Sequence, residues 1–294
     1  MARRASTLAT LAGVRAGLTL LERVSPELGG RWGEFLFFRV PDAPPAARRE
    51  RHGVPGESFA LDLAGHAIRG EAWGSEGGPV IYLLHGWGGW RQQMQAYVSP
   101  LVAAGCRVVA LDALAHGASD PSHFEPRTSR IFEIGDCLVR VVEEFGQPWG
   151  IIAHSGGAMA AILGVHDGRI TPSRLVLVAP SVNVEGIIDG LQRYFRMGPR
   201  SARVLERRAV RRIGRPASDF DTPALAAELA ARGDLPPALI IHDRADDETP
   251  ASGSELLHAA WPGSQLLLTE GLDHRRVLWS AATVDAAVRF LVGA

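Results

Sequence analysis

The sequence predicts an α/β protein: a mostly parallel, twisted sheet with helices on both faces and a small helical insertion. Three observations carry this. Short all-apolar runs such as Val80–Leu84 alternate with helical patterns, which is how strands buried on both faces of a parallel sheet read. The stretch Pro148–Gly164 passes from an apolar strand through Ala153-His154-Ser155-Gly156-Gly157 directly into an Ala-rich helix. Between Pro180 and Thr222 the alternation stops, and the chain becomes arginine-rich with an amphipathic helical face.

In chain order, Ala5–Val24 has Leu8, Leu11, Val14, Leu18 and Leu21 at helical spacing, with Arg15 in its middle. This is an amphipathic helix packed on the protein, and contact with a membrane interface is a lesser expectation. It lacks the unbroken apolar centre of a signal peptide, so a cytoplasmic location is expected. Arg31-Trp32-Gly33 and the aromatics Phe35, Phe37 and Phe38 precede a connector marked by Pro41, Pro44 and Pro45. Residues 1–56 are read as a helical extension and linker, and 57–294 as the main domain, with the insertion at about 181–222. Glu57–Leu63 and His66–Trp73 form a hairpin around Ala64-Gly65. Strands follow at Val80–Leu84, Cys106–Leu111, Trp149–Ala153, Leu175–Ala179, Ala238–Ile241 and Gln265–Thr269. Helices are predicted over Arg91–Ala104, Ser129–Phe145, Ser252–Ala260 and Arg275–Val292.

Composition narrows the function classes. Lys+Arg 31 against Asp+Glu 32 leaves a net charge of −1, so no global basic field points to nucleic acid. With 46% hydrophobic residues the chain can bury a sizeable core. Cys106 and Cys137 read as small core residues of a reduced protein. No Cys/His cluster has zinc spacing.

The turn at Ser155 is where chemistry is expected. A serine on a sharp strand-to-helix turn exposes its hydroxyl above the sheet, and its neighbours must be small because strand and helix pass close together. Ala153 and Gly157 meet that need. The Gly-rich loop His85-Gly86-Trp87-Gly88-Gly89 follows a strand but lacks the Gly-Lys-Ser/Thr of a phosphate loop. Beside a serine turn it suits half of an oxyanion hole, with Trp87 N–H and Gly156 N–H as donors. His85, Gly86 and His154 are placed as substrate contacts. The loop after Ala238–Ile241 offers Asp243, Asp246, Asp247 and Glu248, and His274 lies on the loop after the last strand. Serine, acid and histidine then follow in the order Ser155, Asp246, His274. The residues alone leave Asp243, Asp246 and Asp247 open.

HGWGG (85–89), DALAHGASD (112–120), AHSGG (153–157), IHDRADDETP (241–250) and GLDHRR (271–276) together resemble the α/β-hydrolase superfamily, from about residue 57 to the C-terminus. The resemblance implies a triad of Ser155, Asp246 and His274. It departs from the usual His-Gly-x-x-Asp at Asp243, and it aligns the insertion with the cap of many relatives. It also implies hydrolysis of a small-molecule ester, thioester or amide without metal or organic cofactor. An acyltransferase on the same residues and a non-enzymatic binding protein are the alternatives. An aspartate-nucleophile dehalogenase or epoxide hydrolase is disfavoured by Ser155. Oligomeric state is not readable.

Overall fold

The computed structural model describes residues 2–43 and 54–293, with side chains from Thr10 onward. Leu8 and the connector around Pro44, Pro45 and Arg51 therefore lie outside the described side chains or residues. The chain forms two compact units, Met1–Arg39 with Asn183–Asp219, and Val40–Val182 with Phe220–Ala294.

The larger unit is built on eight strands: β1 (Glu57–Leu63), β2 (His66–Trp73), β3 (Val80–Leu84), β4 (Arg107–Asp112), β5 (Gly150–His154), β6 (Arg174–Val178), β7 (Ala238–Asp243) and β8 (Gln265–Thr269). Their order in the sheet is β1-β2-β4-β3-β5-β6-β7-β8. β1 and β2 pair antiparallel, as do β2 and β4, and every other pair is parallel. The predicted class holds. The central strands are apolar on both faces because both are covered: Ile81, Leu83, Ile152 and Val176 are buried in one core, and the alternating Tyr82, Leu84, Ile151 and Leu175 are equally buried. Cys106 and Cys137 are buried and unpaired.

Two predicted helices are shorter than their sequence pattern. Arg91–Ala104 is a 3-10 turn at Arg91–Tyr97 followed by α3 (Val98–Ala103). Pro100 explains this. In one continuous helix it would stand in the interior without an N–H, whereas in α3 it falls in the first turn. Arg275–Val292 is α10 (Asp273–Arg276) and α11 (Ala281–Val292). The buried Thr283 hydroxyl donates to the Val277 carbonyl, which an unbroken helix would give to Ala281. The remaining helices of this unit are α4 (Ile131–Phe145), α5 (Gly156–His166), α8 (Thr222–Arg232) and α9 (Ala251–Ala259).

The smaller unit brings the first helices together with the insertion. It contains α1 (Ala2–Val24), α2 (Pro26–Phe38), α6 (Val184–Phe195) and α7 (Pro199–Ile213). On α1, Leu18 is fully buried while Leu20 and Val24 stand exposed. Helix α2 takes in Arg31–Phe38, where the sequence marks only an aromatic patch. Ser25 caps it and Pro26 opens it. Its glycines are contact points on α7. A Cβ at Gly30 would meet Val204 at 2.3 Å, and one at Gly29 would meet Ser201 Oγ at 2.3 Å. The Glu22 carboxylate accepts from Arg200 N–H at 3.0 Å and Ser201 N–H at 2.9 Å, so it closes the start of α7. Two of the insertion's arginines are answered by acids: Glu34 lies 2.5 Å from Arg208 and Asp219 2.8 Å from Arg215. Among the described residues no helix is long and apolar enough to cross a membrane.

The glycine contacts make a direct test. Gly30→Ala should destabilise the protein by about 1–3 kcal/mol through overpacking against Val204. Gly13→Ala, on α1 with nothing within 4 Å, should stabilise it by about 0.5–1 kcal/mol through helix propensity. Urea unfolding of the two variants separates them, and equal effects would exclude the α2–α7 contact.

Candidate active site

The candidate residues gather at the C-terminal ends of the parallel strands, where open α/β sheets place their crevices. Ser155 stands between β5 and α5 with φ 53° and ψ −122°, a conformation that costs a non-glycine residue about 1–3 kcal/mol. Neighbours hold it there. Its N–H donates to the Val178 carbonyl at 3.0 Å, and its own carbonyl accepts from Ala158 and Ser181 N–H at 3.0 and 3.2 Å. It is the N-cap of α5, yet its hydroxyl makes no capping bond. Small neighbours are required here. A Cβ at Gly157 would lie 2.3 Å from the His85 carbonyl, and one at Gly86 would lie 2.8 Å from Ser155 Cβ.

The loop after β3 meets this turn. A Cβ at Gly156 would sit 3.8 Å from Trp87 N, so the two backbone amides expected to act together are adjacent. Gly156 is the first residue of α5, where helix N–H groups have no internal partner. His85 requires a correction. It is fully buried, its Nδ1 lies 2.7 Å from the Gly86 carbonyl, and its Nε2 accepts from Ala113 N–H at 3.0 Å. Both nitrogens are committed, so it braces the loop and offers nothing to a substrate. Burial pushes its pKa down to about 4, which keeps it neutral. His116, 5.0 Å away ring to ring, is likewise pushed by burial to about 3. Asp112, also fully buried, accepts from Arg91 N–H at 2.6 Å and Ala118 N–H at 2.8 Å and pairs with the Arg91 guanidinium. DALAHGASD is thus the strut of the loop after β3.

On the other side, His274 Nδ1 lies 2.7 Å from Asp246 Oδ2 and 3.0 Å from Thr249 Oγ1. A carboxylate only accepts, so Nδ1 carries a proton, and in the neutral ring it is Nε2 that has the lone pair. Asp246 Oδ2 also accepts from His242 Nε2 at 3.2 Å and Thr249 Oγ1 at 2.9 Å. Its Oδ1 accepts from Glu248 and Thr249 N–H at 2.9 and 2.8 Å. Burial alone would raise this carboxyl's pKa. The bonds from His242, His274 and Thr249 overcome it and hold the group well below the usual carboxylate range. Asp243 does something else: it accepts from Ala245 N–H, Asp273 N–H and Thr269 Oγ1, tying the loop after β7 to the one after β8. Asp247 is exposed.

His154 bridges the two halves. Its Nε2 donates to the His274 carbonyl at 3.0 Å, and the two rings lie 4.6 Å apart. Its buried Nδ1 has no hydrogen-bond partner among the described residues and faces Gly86, whose added Cβ would be 3.0 Å away. Burial first, and then the neighbouring His274, keep it neutral. Sequence reasoning did not give Thr249 and His242 their places on the Asp246 carboxylate. The only signal was that both lie within four residues of Asp246 on one loop.

The comparisons agree with this architecture. The profile described as "Alpha/beta hydrolase family" matches residues 81–289, and the chain belongs to that family. "Protein phosphatase methylesterase 1" of Rattus norvegicus is 31% identical over 143 residues, 45% of this chain and 36% of the relative. "AB hydrolase superfamily protein YfhM" of Bacillus subtilis is 37% identical over 107 residues, 34% of this chain and 35% of the relative. The match thus spans about a third of the length of these curated relatives. Among solved structures, the "Thioesterase Domain From Curacin Biosynthetic Pathway" superposes with a TM-score of 0.59 at 17% identity, over 80% of this chain and 98% of the other.

The Asp246 environment has a signature in acid. A carboxyl whose folded pKa is depressed stabilises the protein above its unfolded value, near 4, and loses that contribution as pH falls below it. Asp246→Asn should therefore lose stability at neutral pH and show a flatter fall in Tm between about pH 5 and 3 than the parent. Parallel curves for the two proteins would contradict the assigned hydrogen bonds.

Proposed function

We propose that the protein is a serine hydrolase that cleaves a carboxylic ester, thioester or amide through an acyl-enzyme on Ser155. The observation that carries this reading is the Asp246–His274 contact at 2.7 Å beside the strained Ser155 turn. Ser155 Oγ attacks the carbonyl carbon while His274 Nε2 takes its proton. Asp246 holds the imidazole in the required tautomer and stabilises its charged form. Trp87 and Gly156 N–H groups stabilise the oxyanion, each donor being worth about 3 kcal/mol in related sites. The leaving group departs with the proton from His274. Water, deprotonated by the same imidazole, then hydrolyses the acyl-enzyme and restores the Ser155 hydroxyl. Gly86 and His154 form the substrate side of this wall. The methylesterase and thioesterase named among the similar proteins support acyl transfer as the reaction class.

Ser155→Ala should abolish labelling by a fluorophosphonate probe and reduce hydrolysis of short-chain aryl esters to background, with an unchanged circular dichroism spectrum. Labelling of the Ala variant at the parent rate would remove Ser155 from the mechanism. Transfer of the acyl group to added alcohols or amines in preference to water would identify an acyltransferase.

The acid is tested separately. Asp246→Asn should lower turnover by about 10⁴, the loss seen when an orienting acid fails to hold its imidazole. Asp243→Asn should stay within about tenfold, or 1.4 kcal/mol of barrier, because an amide can still accept from Ala245 and Asp273 N–H. Asp247→Asn should do the same. Steady-state kinetics with the reverse ranking would move the acid to the residue that loses most.

A further inference from the structure

The near-zero net charge conceals two opposite ones. The unit formed by Met1–Arg39 and Asn183–Asp219 holds fifteen arginines against seven acids, and the rest of the chain sixteen against twenty-five. The smaller unit also holds five of the ten exposed large apolar side chains among the described residues, in 67 of the 274 positions whose side chains are described. Four of the five lie on these two helices: Leu20 and Val24 are one turn apart at the end of α1, and Leu28 and Phe35 are two turns apart on α2. Leu28 and Phe35 lie on the side of α2 away from the glycines that it presses on α7. Arg31, exposed among them, has no ion pair among the described residues, and the Arg39 guanidinium lies 5.4 Å from the Phe35 ring.

Beside α1 runs a groove lined by Leu11, Leu20, Arg15, Arg23 and Arg196 together with small residues, and no carboxylate lines it. Arg15 donates to the Tyr194 carbonyl, while Arg23 and Arg196 have no ion pair among the described residues. Glu22 is not available to neutralise them, being turned to the start of α7. Arg196 has a left-handed backbone, φ 54°, at the end of α6, where glycine is the unstrained choice. A cation is thus held on the groove at a conformational cost.

We propose that this α1–α2 face is a docking surface for an anionic lipid bilayer, with Leu20, Val24, Leu28 and Phe35 entering the headgroup boundary and Arg23, Arg31 and Arg196 contacting lipid phosphates. Exposed apolar side chains interleaved with unneutralised arginines, and no acid in the groove, match the chemistry of an interface that is anionic outside and apolar beneath. A nucleic acid would use the cations and leave the aliphatic face unexplained. The inference is independent of the catalytic reading.

The test is co-sedimentation of the full chain with vesicles of phosphatidylcholine alone and of phosphatidylcholine with an equal part of phosphatidylglycerol. Binding should need phosphatidylglycerol and fall by about tenfold or more when salt is raised from low to physiological strength. Leu20→Ser with Leu28→Ser should lower it about tenfold at unchanged charge. Arg196→Gly is the decisive single variant, since relief of the left-handed strain should keep or raise Tm while vesicle binding falls. The proposal is overturned if the parent ignores phosphatidylglycerol vesicles at low salt, or if the serine pair binds them like the parent. It is equally overturned if the parent binds RNA as tightly as vesicles with the serine pair unaffected, or if it is a dimer in solution that the serine pair dissociates.

Discussion

The carboxylate of Asp246 accepts five hydrogen bonds from four residues: His242 at the end of β7, Glu248 and Thr249 on the loop that follows it, and His274 after β8. A buried charge this well satisfied does not tolerate rearrangement, because releasing any donor leaves it desolvated and underpaired. The loop after β7 is therefore closed on itself through Glu248 and Thr249 and anchored in the sheet through His242. The His274 ring is fixed as a consequence. Asp243 reinforces the arrangement from outside by joining the same two loops, so two neighbouring carboxylates divide the work of holding the ring and holding its support.

The opposite half of the site obeys steric rather than electrostatic constraints. Ser155, Gly86, Gly157 and His85 meet at distances that leave no room for a methyl group at either glycine. The loop after β3 is carried into place by the neutral, doubly bonded His85 and by Asp112 with Arg91. His154 reaches across from the Ser155 turn to the His274 carbonyl. Three buried imidazoles, His85, His116 and His154, are kept neutral near Ser155, so none of the three adds a charge to compete with the one that would develop on His274 in the proposed mechanism.

Much of the sheet was legible because its signal is local. β1, β2, β3 and β8 begin and end at the residues their apolar patterns mark, since a strand buried on one face or two must be written that way. Ser155 was legible for the same reason: the turn that exposes it demands small neighbours within two residues. The remainder depends on distance along the chain. Helix α2 carries little sequence signal of its own, because Gly29, Gly30 and Gly33 disfavour a helix until α7, about 170 residues later, is seen to need them small. Asp243, Asp246 and Asp247 look alike in sequence, and only the loop's closure separates one bonded to His274 from one bonded to backbone and from one in solvent. The net charge of −1 argued against a basic field because composition sums over both units, and their opposite charges cancel.

Every permanently charged basic side chain in this sequence is an arginine, for it contains no lysine. A guanidinium stays charged wherever the protein is folded, and it is not a substrate for the acetylation that silences lysine patches. The helices that carry Arg23, Arg31 and Arg196 thus hold a constant positive charge across physiological pH. Their attraction to any polyanion can be tuned by ionic strength, or by the composition of the surface they meet, but not by protons or by the modification state of an amine. The same composition leaves the sequence with no side-chain amine for an amine-coupling reagent to mark.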